Sequence, residues 1–314
     1  MKKYIIAVFL LLLSISLAVA VYIYLYLNST INTKRLLFIP QGSTKSFVSY
    51  LKSKGYDVGD LDYYLIRYHG YPQAGWIDLN STKLKREEFY YKVTHSKAVL
   101  QKVTIIPGET TEIFLKNIAK KLELNEKKIL DYYSSSSFIK EGLLFADTYS
   151  VPKGIDEKEL VDFLIKSSLK KHKNLSLKYL KDYNKTRWFF DIVTKASIIQ
   201  KESANKDEMP IISAVIDNRI KKHMKLQMDG TLNYGKYSHI KVTPRRIKDD
   251  NTTYNTYKHF GMPKYPVCIV STNAIKSAIN PDKNEYLYFV LGDNKKHIFS
   301  KTYNEHKKAI RKSE

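Results

Sequence analysis

The sequence predicts an α+β protein held to a membrane by one N-terminal transmembrane helix. Three observations carry that expectation. An uncharged apolar run fills residues 4 to 27, short β runs each lead into an amphipathic helix beyond residue 36, and helical periodicity dominates residues 188 to 222. The expected order is a cytoplasmic tail at 1–4, a transmembrane helix at 5–27, a membrane-proximal α+β unit at 36–98, a small strand-helix-helix unit at 101–165, and a mixed α/β region at 186–314.

The first element decides topology. After Met1, Lys2 and Lys3 come 24 residues, Tyr4 to Leu27, without a charge. At 1.5 Å per residue such a helix is about 36 Å long, enough to cross a hydrocarbon core of roughly 30 Å with some tilt. A cleaved signal peptide usually has an apolar core of only about 7–15 residues, and here aromatic and apolar residues continue through Tyr22 to Leu27. The leading lysines predict a single pass with the N-terminus in the cytoplasm and residues 28 to 314 outside.

A weak internal repeat follows. "LFIPQGSTKSFVSYLKSK" and "VTIIPGETTEIFLKNIAKKL" align Pro40 with Pro107, Thr44 with Thr111, Phe47 with Phe114 and Leu51 with Ile118. Each copy is a β run, a Pro/Gly turn, a hydroxyl residue able to cap a helix, and an amphipathic helix. The second copy continues into "NEKKILDYY", a further helix capped by Asn125. That strand-helix-helix order resembles a LysM-like module, a small domain type that binds N-acetylglucosamine polymers. Next, "EGLLFADTYSVPKG" (141–154) reads as loop, residues 158 to 183 as a lysine-rich helix, "EYLYFVLG" with "DNKKHIFS" as a β-hairpin turning at Gly292 to Asn294, and 303–312 as a basic helix.

Composition sets limits on function. Of 314 residues 43% are hydrophobic and 13% aromatic, which excludes a disordered chain. The net charge of +22 suits an anionic polymer or an acidic membrane surface, but the lysines are spread through the whole chain rather than gathered in a patch, and no nucleic-acid partner is expected. With Cys268 alone, neither an intramolecular disulfide nor a Cys-based metal site can form, and the eight histidines lack ligand spacing. Phosphate-loop, HExxH and G-x-S-x-G motifs are absent, so neither metal nor cofactor is expected.

One carboxylate stands out. Ile192, Val193, Ala196, Ile198 and Ile199 recur at helical intervals, and Glu202 falls three and four residues beyond Ile199 and Ile198, on their face. An acid held among apolar neighbours has its charged form disfavoured and its pKa raised, which is what a general acid needs near neutral pH. Pro210 opens a second helix whose buried side reaches Asn218. After it, Gln227, Asp229, Thr231 and Tyr234 form a dense polar run, and Tyr254, Asn255 and Tyr257 form another. Polar groups beside aromatic faces suit a sugar-binding cleft.

Together, "EGLLFADTYSVPKG", "ASIIQKES", "VIDNRIKKHMKLQMDGTLNYG", "YNTYKHFGMP" and "AIKSAINPDKNEYLYFV" resemble the endolytic murein transglycosylase family, the MltG or YceG-like proteins, from about residue 36 onward. The resemblance implies a peptidoglycan lytic transglycosylase, acting on nascent glycan strands during cell-wall synthesis. It would cleave the β-1,4 bond between N-acetylmuramic acid and N-acetylglucosamine and leave 1,6-anhydro ends, with Glu202 as catalytic acid/base. It also implies membrane-bound peptidoglycan synthases, the penicillin-binding proteins, as partners. The chain departs from the family pattern at Gln200, where a second glutamate is common, and at Gly230, where L-Q-x-D-P-T has proline; the glycine predicts a more flexible turn. The competing expectation is a membrane-anchored, non-catalytic peptidoglycan-binding scaffold.

Overall fold

The computed structural model describes residues 2–97 and 99–312, with side chains from Tyr4 onward. Met1 and the side chains of Lys2 and Lys3, on which the expected orientation rests, lie outside the described set, as do Ala98, Ser313 and Glu314 at the ends of two expected segments.

The chain forms two compact units, residues 1–101 with 150–155, and residues 102–149 with 156–314. The first unit begins with α1 (Lys2–Asn28), whose apolar side chains are exposed along its length. Among the described residues this is the one helix long and apolar enough to cross a membrane. There follow β1 (Thr30–Asn32), β2 (Leu36–Ile39), α2 (Thr44–Ser53), α3 (Asp60–His69), β3 (Gly75–Asp78), β4 (Lys83–Lys85) and α4 (Arg86–His95). β1 runs antiparallel to β4 and β2 antiparallel to β3, with Leu37 opposite Ile77. The period-two alternation of these strands sends Leu37, Ile39, Ile77 and Leu84 inward against Phe47 and Leu51 of α2, Ile66 of α3, and Phe89 and Val93 of α4. The hydroxyl of Ser43 caps α2 by accepting from the Ser46 N–H at 3.2 Å.

The chain passes into the second unit within β5 (Leu100–Thr104), continues through α5 (Thr111–Lys121) and α6 (Glu126–Ser136), and reaches β6 (Thr148–Pro152), the hydrogen-bonded neighbour of β5. Asn125 caps α6 through the Lys128 N–H at 3.0 Å. β6 lies inside the stretch expected as loop. Its burial alternates at Tyr149 and Val151, a strand signal too short to read between Asp147 and the Pro152–Gly154 turn.

Beyond it come α7 (Glu157–Leu180), one short turn α8 (Lys185–Arg187), a π-helical turn (Trp188–Val193), α9 (Thr194–Glu202), α10 (Met209–Lys221), α11 (Pro244–Asp249), α12 (Thr272–Ile279), the hairpin β7 (Tyr288–Leu291) and β8 (His297–Ser300), and α13 (Tyr303–Lys312). α9 is the axis of this unit. All six residues from Thr194 to Ile199 are buried, because α10, α12 and the π-turn surround it. Its serine is satisfied internally, with Ser197 Oγ accepting from the Val267 N–H at 2.8 Å.

Candidate active site

Glu202 is the last residue of α9, and the chain turns to extended backbone at Ser203. Helix ends leave backbone groups free and side chains projecting, so the acid stands at the tip of a buried rod. The side chain keeps a solvent-facing edge while protein crowds its remaining sides.

A 3₁₀ turn, Asp229–Leu232, closes over it. The Gly230 N–H donates to Glu202 Oε1 at 2.6 Å. A Cβ at position 230 would lie 2.6 Å from that oxygen and 2.6 Å from the Cβ of Lys201. In this chain the glycine permits the close approach of backbone to carboxylate, a reason different from the turn flexibility expected from sequence.

Desolvation pushes the Glu202 carboxyl up to about 7, the Gly230 N–H pulls it back, the charge of Asp229 adds to the rise, and that of Arg219 opposes it. Asp229 is itself bound by Tyr257, whose hydroxyl donates to Oδ1 at 2.7 Å. Burial and this carboxylate raise the Tyr257 pKa, so the phenol stays a donor. Arg219, buried on α10, donates from Nε to the Leu287 carbonyl at 2.6 Å and from Nη1 to the Leu226 carbonyl, fixing a positive charge near the site. Gln200, one position before Lys201, accepts the Ser271 N–H at 3.3 Å through Oε1 and so helps hold the start of α12.

The other expected residues separate into two groups. Tyr234 and Tyr254 stack with centroids 4.3 Å apart and planes 16° from parallel, and both line a cavity of about 430 Å³ together with Thr111, Tyr133 and Glu141. Their hydroxyls reach Asp250 Oδ2 and the Pro266 carbonyl. Thr231 is buried, shares a 3.0 Å hydroxyl contact with Thr256, and donates to the Met228 carbonyl, so it pins the turn that carries Gly230. Asn218 spends its amide donors on the carbonyls of Asn284 and Tyr286, and Asn255 spends its donors on those of Ile247 and Asp250. In the structure both hold loops. Gln227 is exposed, with its N–H on the Thr256 carbonyl.

Three contributors were not anticipated from sequence. Arg219 follows Ile212 and Val215 on the buried face of α10 and carried the same signal as Glu202, a charge at an apolar position. Gly230 could not be read as a contact. Glu141 sits in irregular chain, where no periodicity marks it; it is buried, pushed up to about 8 by desolvation, and accepts hydrogen bonds from Thr111 and Gly142. Among the described residues no cluster of three or more His, Cys, Asp or Glu is placed to hold a metal.

A half-buried acid at a helix end, gripped by a backbone amide, sits within a chain whose residues 37–312 match the pattern of the YceG-like family. The chain belongs to that family. It is 27% identical over 304 residues to a Bacillus subtilis (strain 168) protein named endolytic murein transglycosylase, spanning 87% of this chain and 83% of that one. A Streptococcus pneumoniae protein of the same name is 33% identical over 162 residues, 50% of this chain and 29% of its own length. The 2.6 Å crystal structure of a YceG-like protein from Listeria monocytogenes shares the fold, with a TM-score of 0.56 at 24% identity over 88% of this chain and 99% of that one.

Proposed function

We propose that this YceG-like protein is a peptidoglycan lytic transglycosylase that cuts the β-1,4 bond between N-acetylmuramic acid and N-acetylglucosamine in glycan strands, with Glu202 as its acid and base. The observation that carries this reading is the state of Glu202, a carboxyl whose burial raises its pKa to about 7, so that near neutral pH it can both give and take a proton. The names of the Bacillus and Streptococcus relatives support the substrate class.

In the proposed reaction Oε1 stays on the Gly230 N–H, and the proton is carried on Oε2. That proton passes to the glycosidic oxygen as the bond to the muramic acid anomeric carbon breaks. The muramic acid 6-hydroxyl oxygen then bonds to the same carbon, and its proton returns to the carboxylate. Because the nucleophile belongs to the substrate, a single carboxylate is enough, where hydrolysis generally positions two. Asp229, bonded to Tyr257, and the fixed charge of Arg219 shape the field around the developing cation.

The stacked Tyr234 and Tyr254 offer a flat face to a sugar ring. The order β5, α5, α6, β6 supports reading residues 101–165 as a LysM-like unit. A retained α1 tethers the enzyme at the outer face of the inner membrane, beside penicillin-binding synthases that make its substrate.

The test is mass spectrometry of purified peptidoglycan after incubation with wild type and with Glu202→Gln. Anhydro-muramic products from wild type alone are expected. Reducing ends instead would turn the assignment to hydrolysis with Asp229 as second carboxylate, and binding with no cleavage by either protein would leave a scaffold.

A further inference from the structure

The end of α1 is built into the first unit. Tyr26 donates its hydroxyl to Asp62 Oδ2 at 2.7 Å, and Arg86 donates from Nη1 to both Asp62 oxygens at 2.9 Å while lying 4.2 Å above the Tyr26 ring centroid. Arg86 also donates from Nε to Ser29 Oγ at 2.9 Å. Asp62 and Arg86 are 0% and 3% exposed, so the joint is a buried, fully partnered ion pair. Such a joint removes the freedom that a polar tether would give α1 relative to α3 and α4.

Beside it, α3 presents a surface that water does not explain. Its inner face holds Asp62 and Ile66, both fully buried. The outer face carries Leu61, Tyr64 and Tyr68, with Leu65 beside them partly buried against the core, spaced at three and four residues and therefore in one stripe. Leu61, Tyr64 and Tyr68 are 45%, 67% and 83% exposed. With Ile23, Tyr26 and Leu27 of α1, with His69, and with Glu87 at the rim, the stripe borders a hollow of about 410 Å³. The apolar end of α1 and the apolar stripe of α3 thus face one hollow. A span of 25 residues is about 37 Å long against a core of roughly 30 Å, so its last turn emerges at headgroup level. Tyrosine is the residue that favours that level, its ring among acyl chains and its hydroxyl in water.

We propose that the Leu61–Tyr64–Leu65–Tyr68 stripe of α3 is a lipid contact that seats the first unit in the headgroup layer of the bilayer crossed by α1. The proposal rests on α1 being a retained span, and the test separates the two. Because Cys268 is buried, a cysteine introduced at the surface is the one readily labelled thiol. Full-length protein carrying Tyr64→Cys, Tyr68→Cys or, within the span, Tyr22→Cys is spin-labelled and reconstituted in phosphatidylethanolamine–phosphatidylglycerol vesicles. Collision of the label with lipid-soluble oxygen and with a water-soluble nickel chelate is then measured. The expected result is a several-fold preference for oxygen at 64 and 68 as well as at 22. Chelate access at 64 and 68 with oxygen preference at 22 overturns the lipid contact and leaves the span. Protection from both reagents at 64 and 68 also overturns it, in favour of a second copy or another protein on this face. Chelate access at all three positions removes the span itself, and the proposal with it.

Discussion

Glu202→Gln keeps the size of the side chain and an oxygen for the Gly230 N–H while abolishing titration, so stability and catalysis can be read from one substitution. In the folded protein the carboxyl is raised from 4.5 to about 7. Folding therefore disfavours the ionised form. Stability from this group is complete below about pH 4.5 and is lost as pH rises through about 7, by at most about 3 kcal/mol at 1.36 kcal/mol per unit. The solvent-facing edge of the side chain makes that an upper limit. Chemical denaturation of both proteins at pH 4.5 and pH 8 is the assay. The variant should gain relative to wild type at the higher pH by roughly 1–3 kcal/mol, and its glycan cleavage should fall by roughly 10²–10⁴-fold. Parallel stability curves would refute the raised pKa, and with it the physical reason for choosing Glu202. The comparison is a difference between two proteins that both keep Glu141, whose own titration cancels.

Three further outcomes follow from named contacts. Gly230→Ala places a Cβ on both Glu202 Oε1 and Lys201 Cβ, so turnover should drop by roughly 10²-fold through misplacement of the acid, with the basic limb of its pH profile moved upward as the hydrogen bond from the backbone N–H is lost. Glu141→Gln should flatten the stability loss between about pH 4.5 and 8, measured by the same denaturation, because the carboxyl raised to about 8 no longer titrates. Arg86→Met leaves Asp62 buried without its cation and should destabilise the first unit by roughly 3–5 kcal/mol, visible as a lowered thermal midpoint.

How much of this was legible in the sequence depends on the signal each residue leaves. Glu202 broke an apolar period, and a broken period is visible without coordinates. Phe47, Leu51, Phe114 and Ile118 are buried on the helices expected for the paired units, since amphipathic spacing reports which face turns inward. Asn218 and Asn255 left only the signal of polarity. A polar residue beside a turn can meet a ligand or bond to the backbone, and here the folded chain supplies carbonyls to both. Glu141 and the Glu202–Gly230 contact depend on segments far apart in sequence, so no local pattern could announce them. β6 was hidden for another reason: five residues offer too few alternations to stand out from a loop.

The π-turn from Trp188 to Val193 takes up one extra residue directly ahead of α9. A π-turn holds an extra residue relative to an α-helix, and each residue of α-helix is worth about 100° of rotation and 1.5 Å of advance. Since α9 follows directly and is enclosed by α10 and α12, it cannot turn to absorb an error. Deleting one residue of that turn, such as Asp191, would convert it to ordinary α-helix and leave the phase of α9 as it is, whereas deleting one residue within α9 would swing Glu202 by about 100° away from the Gly230 amide. The azimuth of the acid thus tolerates the loss of one residue at the π-turn, eleven positions before it, and of none within α9.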